Sequence, residues 1–235
     1  MNKISIVIPF YNEEKRIHRF LFGLKNYQNK NQLVQQLVLV NDGSTDNTLA
    51  ILNNIKHDSI NIKVIDIKEN RGKGNAVKNG ILNSDCEWIL CNDADLSYSF
   101  EQIDEWYDKK IINLNSDNTV YLGKRILNDK KSNFYLHRII IGKIFYLLIK
   151  LILSIKISDT QCGFKLYKSE IAKRVFKDLK EERFAFDIEV IYRLKKIDCN
   201  IQLNPVSCND VGNSKVNLFT DSLNMFMALF RIRRY

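Results

Sequence analysis

The feature that most constrains this chain is an alternation in its first half. Short β-branched runs occur at Ile4–Ile8 (ISIVI), Gln36–Val40 (QLVLV), Ile62–Ile65 (IKVI) and Glu87–Cys91 (EWILC). Between them, Glu13–Leu24, Asp46–Ile55 and Asn75–Leu82 carry the helical period, with Ser44-Thr45-Asp46 offering capping side chains to the second. Strand and helix in alternation imply right-handed βαβ units and a mainly parallel sheet covered on both faces.

After Asp95 the rhythm changes. The pattern predicts a helix near Phe100–Lys109, a strand Thr119–Lys124 and a long helical stretch from about Phe134 to Ile155. A loop, Ser158 to Gly163, leads to a strand Phe164–Tyr167, helices Ser169–Phe176 and Asp187–Lys196, a strand Ile201–Val206 and a C-terminal helix. No repeat, low-complexity tract or linker interrupts this, so one domain over 1–235 is expected, of class α/β, with amphipathic helices in its C-terminal half.

Open parallel sheets bind ligands beyond the carboxyl ends of their strands. Four polar clusters fall there: Pro9-Phe10-Tyr11-Asn12-Glu13, Asn41-Asp42-Gly43-Ser44, Asn70-Arg71-Gly72-Lys73-Gly74 and Asn92-Asp93-Ala94-Asp95. In extended backbone Asp93 and Asp95 face one side, and their oxygens suit Mg2+ or Mn2+. Taken alone, such a pair also reads as a solvated turn. The glycines around Lys73 would let backbone N–H groups approach a phosphate, or serve a plain turn and helix cap. Asp42 is a hydrogen-bond acceptor for a base or ribose, or an Asx-turn residue beside Gly43.

The net charge of +9 points to an anionic partner, and Lys124 to Lys156 concentrates it. Five cysteines without a CxxC pair fit free thiols in a reducing compartment and argue against a zinc site. The chain enters a strand at once, leaving no room for a signal peptide, and its most apolar stretch, Ile139 to Ile155, is broken by Lys143 and Lys150.

FYNEE, VNDGSTDNT, NRGKGNAVKNG and NDAD, in this order, resemble the family-2 glycosyltransferases of the GT-A fold. Gly123-Lys124-Arg125, DTQCGFK (Asp159–Lys165) and FAFDIE (Phe184–Glu189) are similar to the dolichyl-phosphate β-glucosyltransferase branch, and the likeness runs from about Ile4 to Lys215. The resemblance implies a nucleotide-sugar half, 1–98, an acceptor half, 99–215, and a closing amphipathic helix, 216–235. It implies that Pro9, Tyr11, Glu13 and Asp42 hold the nucleoside, that Lys73 lies near its phosphates, and that Asp93 and Asp95 bind the Mg2+ or Mn2+ through which the diphosphate is held. Arg125 and Arg138 match positions that receive an acceptor phosphate, and Asp159 matches an acidic residue near the reacting sugar. The implied reaction is inverting transfer of a hexose, glucose from UDP-glucose first, to a polyprenyl or dolichyl phosphate.

Two departures stand out. The membrane anchor or spanning helices of many such enzymes are not found in the sequence, and the motif usually written GSR is Gly123-Lys124-Arg125. A polyprenyl acceptor lies in a bilayer, so the chain is expected on the cytoplasmic face of an anionic membrane. Two apolar faces would serve: the helix through Phe134–Ile155, with its polar stripe Lys143, Tyr146, Lys150 and Ser154, and the C-terminal helix ending in FRIRRY. A core-packing role fits both helices equally. Transfer to a glycan or protein hydroxyl, and a sugar nucleotidyltransferase, are the competing readings. Basic charge alone suggests nucleic acid, but no clustered aromatics support that partner.

Overall fold

The computed structural model describes residues 3–127, 142, 145–208 and 218–235. Its strands are β1 (Ile4–Phe10), β2 (Val34–Asp42), β3 (Asn61–Ile67), β4 (Trp88–Cys91), β5 (Thr119–Leu127), β6 (Lys165–Lys168) and β7 (Asn200–Cys208). The helices are α1 (Ile17–Asn26), α2 (Thr48–Asn53), α3 (Lys73–Leu82), α4 (Glu101–Asp108), α5 (145–153), α6 (Ser169–Lys177), α7 (Phe186–Lys196) and α8 (Leu218–Arg233). Each strand expected from the sequence is present, most of them longer by one or two residues at an end.

One sheet contains all seven strands, in the order β3-β2-β1-β4-β6-β5-β7. The pairs β1–β2, β1–β4, β2–β3 and β5–β7 are parallel, while β6 runs antiparallel to both β4 and β5. The expected mainly parallel sheet is therefore found, with one reversed strand near its centre.

The near-continuous apolar runs follow from burial on both faces. In β1, Ile4, Ile6, Ile8 and Phe10 join Phe20 of α1, Leu52 of α2 and Trp106 of α4, whereas Val7 joins Val77 and Ile81 of α3 on the other side. In β4, Trp88 and Leu90 face the first layer and Ile89 and Cys91 the second. Period two is obeyed, but both sides are core. Both buried indoles are paired: the Trp88 indole donates to Leu114 O at 3.0 Å and the Trp106 indole to Pro205 O at 3.0 Å.

Two local expectations change. The first helix begins at Ile17 rather than Glu13, because Asn12 takes φ +50 and residues 13–16 form a turn closed by Arg16 N–H to Glu13 O at 2.8 Å. The Ser44-Thr45-Asp46 side chains do more than cap α2. Asp46 accepts from Thr48 N–H at 3.0 Å, but Ser44 accepts from Asn12 N–H at 3.0 Å and Asp46 from Glu14 N–H at 3.2 Å. They fasten the loop after β2 to the loop after β1. Of the long helix expected over Phe134–Ile155, residues 134–141 and 143–144 lie outside the described residues.

The tightest seam between helix and sheet lies at Gly80 on α3. A Cβ there would stand 2.3 Å from Val7 Cγ1 and 3.1 Å from Val40 Cγ2. Gly80→Val should destabilise the protein by about 1–3 kcal/mol through overpacking, read as a lower urea midpoint at unchanged slope.

Candidate active site

Beyond the carboxyl ends of β1 to β4, three loops are tied into one surface. Asn12 accepts from Thr45 N–H at 2.8 Å, and Glu13 N–H donates to Thr48 Oγ1 at 2.8 Å. Asp42 is buried, and its two carboxylate oxygens accept Arg71 N–H at 3.1 Å and Gly72 N–H at 2.9 Å. Gly43, at φ +65, has Asn70 N only 2.4 Å from where a Cβ would stand. Glu13 is likewise buried, with Arg16 forked onto its carboxylate at 2.9 and 2.6 Å. Tyr11 is 39% exposed, and Pro9 pairs with Val40 within the sheet. The four residues expected to hold a nucleoside thus share one edge. Asp42 and Glu13 use their carboxylates to shape the loops, and Tyr11 is partly exposed beside them.

The glycines around Lys73 include the helix cap, one of their two expected uses, with Gly72 as the N-cap of α3 at φ +107, and they have a further use. Gly72 N–H is taken by Asp42, and Asn75 N–H donates to Glu182 O at 3.0 Å. Side chains at Gly72 or Gly74 would strike Glu182 O at 2.7 and 2.9 Å. These positions are small so that the 181–186 segment can lie against the start of α3. Two of the backbone N–H groups there are spent on protein, and the side chain of Lys73 carries the positive charge.

That charge points at the acidic pair. Lys73 Nζ donates to Asp93 Oδ1 at 2.6 Å. Burial disfavours the charged ammonium, but Asp93, Asp187 and Asp95 more than offset it and raise Lys73 above its ordinary value. Burial likewise opposes ionisation of Asp93, yet Lys73, with Lys165 and Arg125, holds its carboxyl below the usual range. Asp95 Oδ1 accepts Ser97 N–H at 2.9 Å. Gly163 closes the other side of Asp93: a Cβ at that glycine would stand 2.1 Å from Asp93 Oδ2. Among the described residues no three His, Cys, Asp or Glu side chains converge as a metal cage. Two hard carboxylates with ligand positions left to water and phosphate fit Mg2+ or Mn2+ and not a closed protein site.

Across the loop, Arg125 and Asp159 meet. The guanidinium donates through Nε to Asp159 Oδ2 and through a terminal nitrogen to Oδ1, both at 2.8 Å, and Arg125 N–H adds a third bond at 3.1 Å. Burial works against the Asp159 charge, but these bonds outweigh it and pull the carboxyl below its ordinary value. A carboxylate forked onto arginine is a weak base. Its evident work is to hold Arg125. Arg138 lies outside the described residues.

The glycosyl transferase family 2 model matches residues 5–176. The chain belongs to that family. This family-2 glycosyltransferase is 32% identical to the dolichyl-phosphate beta-glucosyltransferase of Dictyostelium discoideum over 98% of its own length and 73% of that protein. It is 33% identical to the protein of that name from Mus musculus, over 98% and 75% of the two chains. Among solved structures, glucosyl-3-phosphoglycerate synthase from Mycobacterium tuberculosis, in complex with Mn2+, UDP and glucosyl-3-phosphoglycerate, superposes with a TM-score of 0.68 at 15% identity, covering 99% of this chain and 80% of that one. The seven-stranded sheet is the GT-A fold.

The motif readings gave no role to Gly163, Lys165, Glu182 or Asp187 of this glycosyltransferase, although each stands in or beside the quoted motifs. Lys165 was the most visible signal, since a lysine inside FKLY has no polar face on which to lie. It is buried and ion-paired to Asp187.

The Arg125–Asp159 pair sets a pH dependence. A carboxyl whose folded value lies below its unfolded value, about 3.9, contributes stability above that pH and loses it as pH falls through the folded value. The thermal midpoint of the wild type should therefore exceed that of Asp159→Asn by a constant margin from about pH 6 to 8, and the margin should narrow below about pH 4.

Proposed function

We propose that this glycosyltransferase carries glucose from UDP-glucose to a polyprenyl phosphate, with Mg2+ or Mn2+ held by Asp93 and Asp95, on the cytoplasmic face of a membrane. The observation that carries the reading is the meeting of its motifs. DTQCGFK, shared in pattern with the dolichyl-phosphate branch, supplies the glycine against Asp93 and the aspartate on Arg125. Near full-length similarity to enzymes named dolichyl-phosphate beta-glucosyltransferase supports the acceptor and sugar. A GT-A neighbour with Mn2+ and UDP supports the donor and metal. Residues 1–98 form the donor half, 99–215 the acceptor half and 216–235 the closing helix.

In this scheme Tyr11 stacks on the base, while Asp42 and Glu13 fix the loops that flank it. Lys73 neutralises the donor phosphates. A divalent cation on Asp93 and Asp95 supplies positive charge to the departing diphosphate. The acceptor phosphate has a second pKa of about 6, so it arrives largely ionised and needs no strong general base. Asp159 orients Arg125, Arg125 receives and aligns the acceptor, and one phosphate oxygen displaces UDP from the anomeric carbon in a single inverting step.

Exposed apolar residues on α5 and α8 support access to a lipid acceptor. Each is anchored on one side, through Ile149 and Leu153 or through Leu229 and Ile232, in the core layer that includes α7. Each also turns apolar side chains to solvent: Leu147 is 53% and Leu151 69% exposed, Met227 51% and Phe230 44%. Neither is long and apolar enough to cross a bilayer, as holds for every helix among the described residues. Core helix and interfacial helix, set against each other by the sequence, become two faces of the same element.

With Mg2+ or Mn2+, the purified protein should move radiolabel from UDP-glucose to a polyprenyl phosphate. Asp93→Ala and Asp95→Ala should each lower that transfer by at least about a hundredfold. Full activity in both variants would remove the metal assignment. In flotation, the protein should rise with vesicles containing anionic lipid, and Leu151→Glu/Phe230→Glu should leave it at the bottom. Flotation unchanged by the pair would place the membrane contact elsewhere.

A further inference from the structure

Lys165 and Asp187 form an ion pair at the centre of the molecule, their side chains 2% and 7% exposed. A buried pair of this kind recovers its desolvation cost only in part, and an apolar pair of equal volume is commonly as stable or more so. Its presence therefore calls for a use other than stability. The pair lies directly under the donor site. Lys73, Asp93, Lys165 and Asp187 line one small cavity of about 10 Å³, closed by Asn92 and Tyr167. That is the lower limit of space for one water-sized group, which is also the size of an ammonium head. Two cations and two carboxylates thus share one site, sealed at the Lys165–Asp187 end and partly open at the Lys73–Asp93 end, and Lys73 has Asp187 as well as Asp93 within its field.

The difficulty this solves is specific. Lys73 Nζ stands 2.6 Å from Asp93 Oδ1, on the carboxylate read above as a metal ligand. An ammonium and a divalent cation compete for that oxygen, and a displaced ammonium with no second anion would be left without a partner on a side chain that is only 26% exposed. We propose that Asp187, held in place by Lys165, is a positioning residue that receives Lys73 when a divalent cation takes Asp93. The cavity gives the ammonium room to turn, and the ion pair with Lys165 fixes the position of Asp187 at the start of α7. The inference rests on the metal reading of Asp93 and adds what that reading lacks, a place for the lysine to go. It also explains why DTQCGFK and FAFDIE, twenty-odd residues apart in the chain, each contribute one charged residue to a site that neither reaches alone.

The test measures cation affinity rather than transfer. Mn2+ alone is titrated into the wild type, Lys165→Met/Asp187→Leu, the same pair with Lys73→Met added, Asp187→Asn and Asp93→Ala, with free Mn2+ read by electron paramagnetic resonance. The apolar pair removes equal and opposite charges, so long-range field effects cancel, and its thermal midpoint should match or exceed that of the wild type. Its Kd for Mn2+ should nevertheless be weaker by about tenfold, and Asp187→Asn should move in the same direction. Adding Lys73→Met removes the competitor and should restore wild-type affinity or better, which a merely structural role for the pair would not do. Unchanged Mn2+ affinity in both the apolar pair and Asp187→Asn would overturn the proposal, as would a loss that Lys73→Met fails to reverse. If Asp93→Ala binds Mn2+ as the wild type does, the metal reading itself fails and takes this inference with it.

Discussion

The antiparallel register of β6 against β4 is the constraint on which the site depends. Cys91 pairs with Lys165, so the two backbones, continued past the sheet edge, bring Gly163 opposite Asp93. The absence of a side chain at Gly163 is what lets the carboxylate lie there. The same strand faces β5 on its other side, where Leu122 pairs with Lys165 and Gly123 N–H donates to Phe164 O at 2.8 Å. A Cβ on Gly123 would meet Cys162 Sγ at 2.7 Å. One short reversed strand is therefore clasped between the strand that ends in the acidic pair and the strand that carries Arg125. Because hydrogen-bonded strands sit at a fixed spacing of about 4.8 Å, the strand that leads to the acidic pair and the strand that carries Arg125 are held at a set separation by backbone alone.

Around that clasp, three carboxylates each meet a cation. Lys73 sits on Asp93, Arg125 on Asp159, and Lys165 on Asp187. For the proposed reaction, which brings a donor diphosphate and an acceptor phosphate to this edge, the cations need to be ordered beforehand but not irreversibly bound. Partly exposed pairs such as Arg125–Asp159 cost little to exchange, whereas the sealed Lys165–Asp187 pair does not exchange and so acts as a fixed reference. The C-terminal helix joins the same framework. Arg231 forks onto Glu181 at 2.8 Å through two nitrogens, and the next residue, Glu182, accepts Asn75 N–H at the start of α3. An apolar surface on α8 is thereby tied through two consecutive residues to the helix that presents Lys73.

Much of this was legible in the residues. The ISIVI, QLVLV and EWILC runs have the length and β-branching of buried strands, and polar clusters at their ends mark a ligand edge for any parallel sheet. That Asp93 and Asp95 belong at the edge follows from period two in extended backbone. Less could be said of the glycines in NRGKG, which suited a phosphate approach or a turn and helix cap alike; Gly72 caps α3, and both glycines also make room for the 181–186 segment. Ser44 and Asp46 looked like caps and also serve as cross-loop fasteners. In both cases the local signal was correct about size or polarity and silent about the partner, which is more than thirty residues away.

The sequence by itself determined the layers, the strands, the edge and the residue types of the site, because local propensity and hydrophobic period depend only on neighbours along the chain. It also carried the family, since motif spacing survives without any knowledge of contacts. Only the tertiary structure decided which charges meet. Asp159 faces Arg125, and Lys165, a lysine in an apolar strand, finds Asp187 on a helix 22 residues later. Pairings of that kind are set by strand register and by how a helix lies on the sheet, which are properties of the packed chain and not of any segment within it.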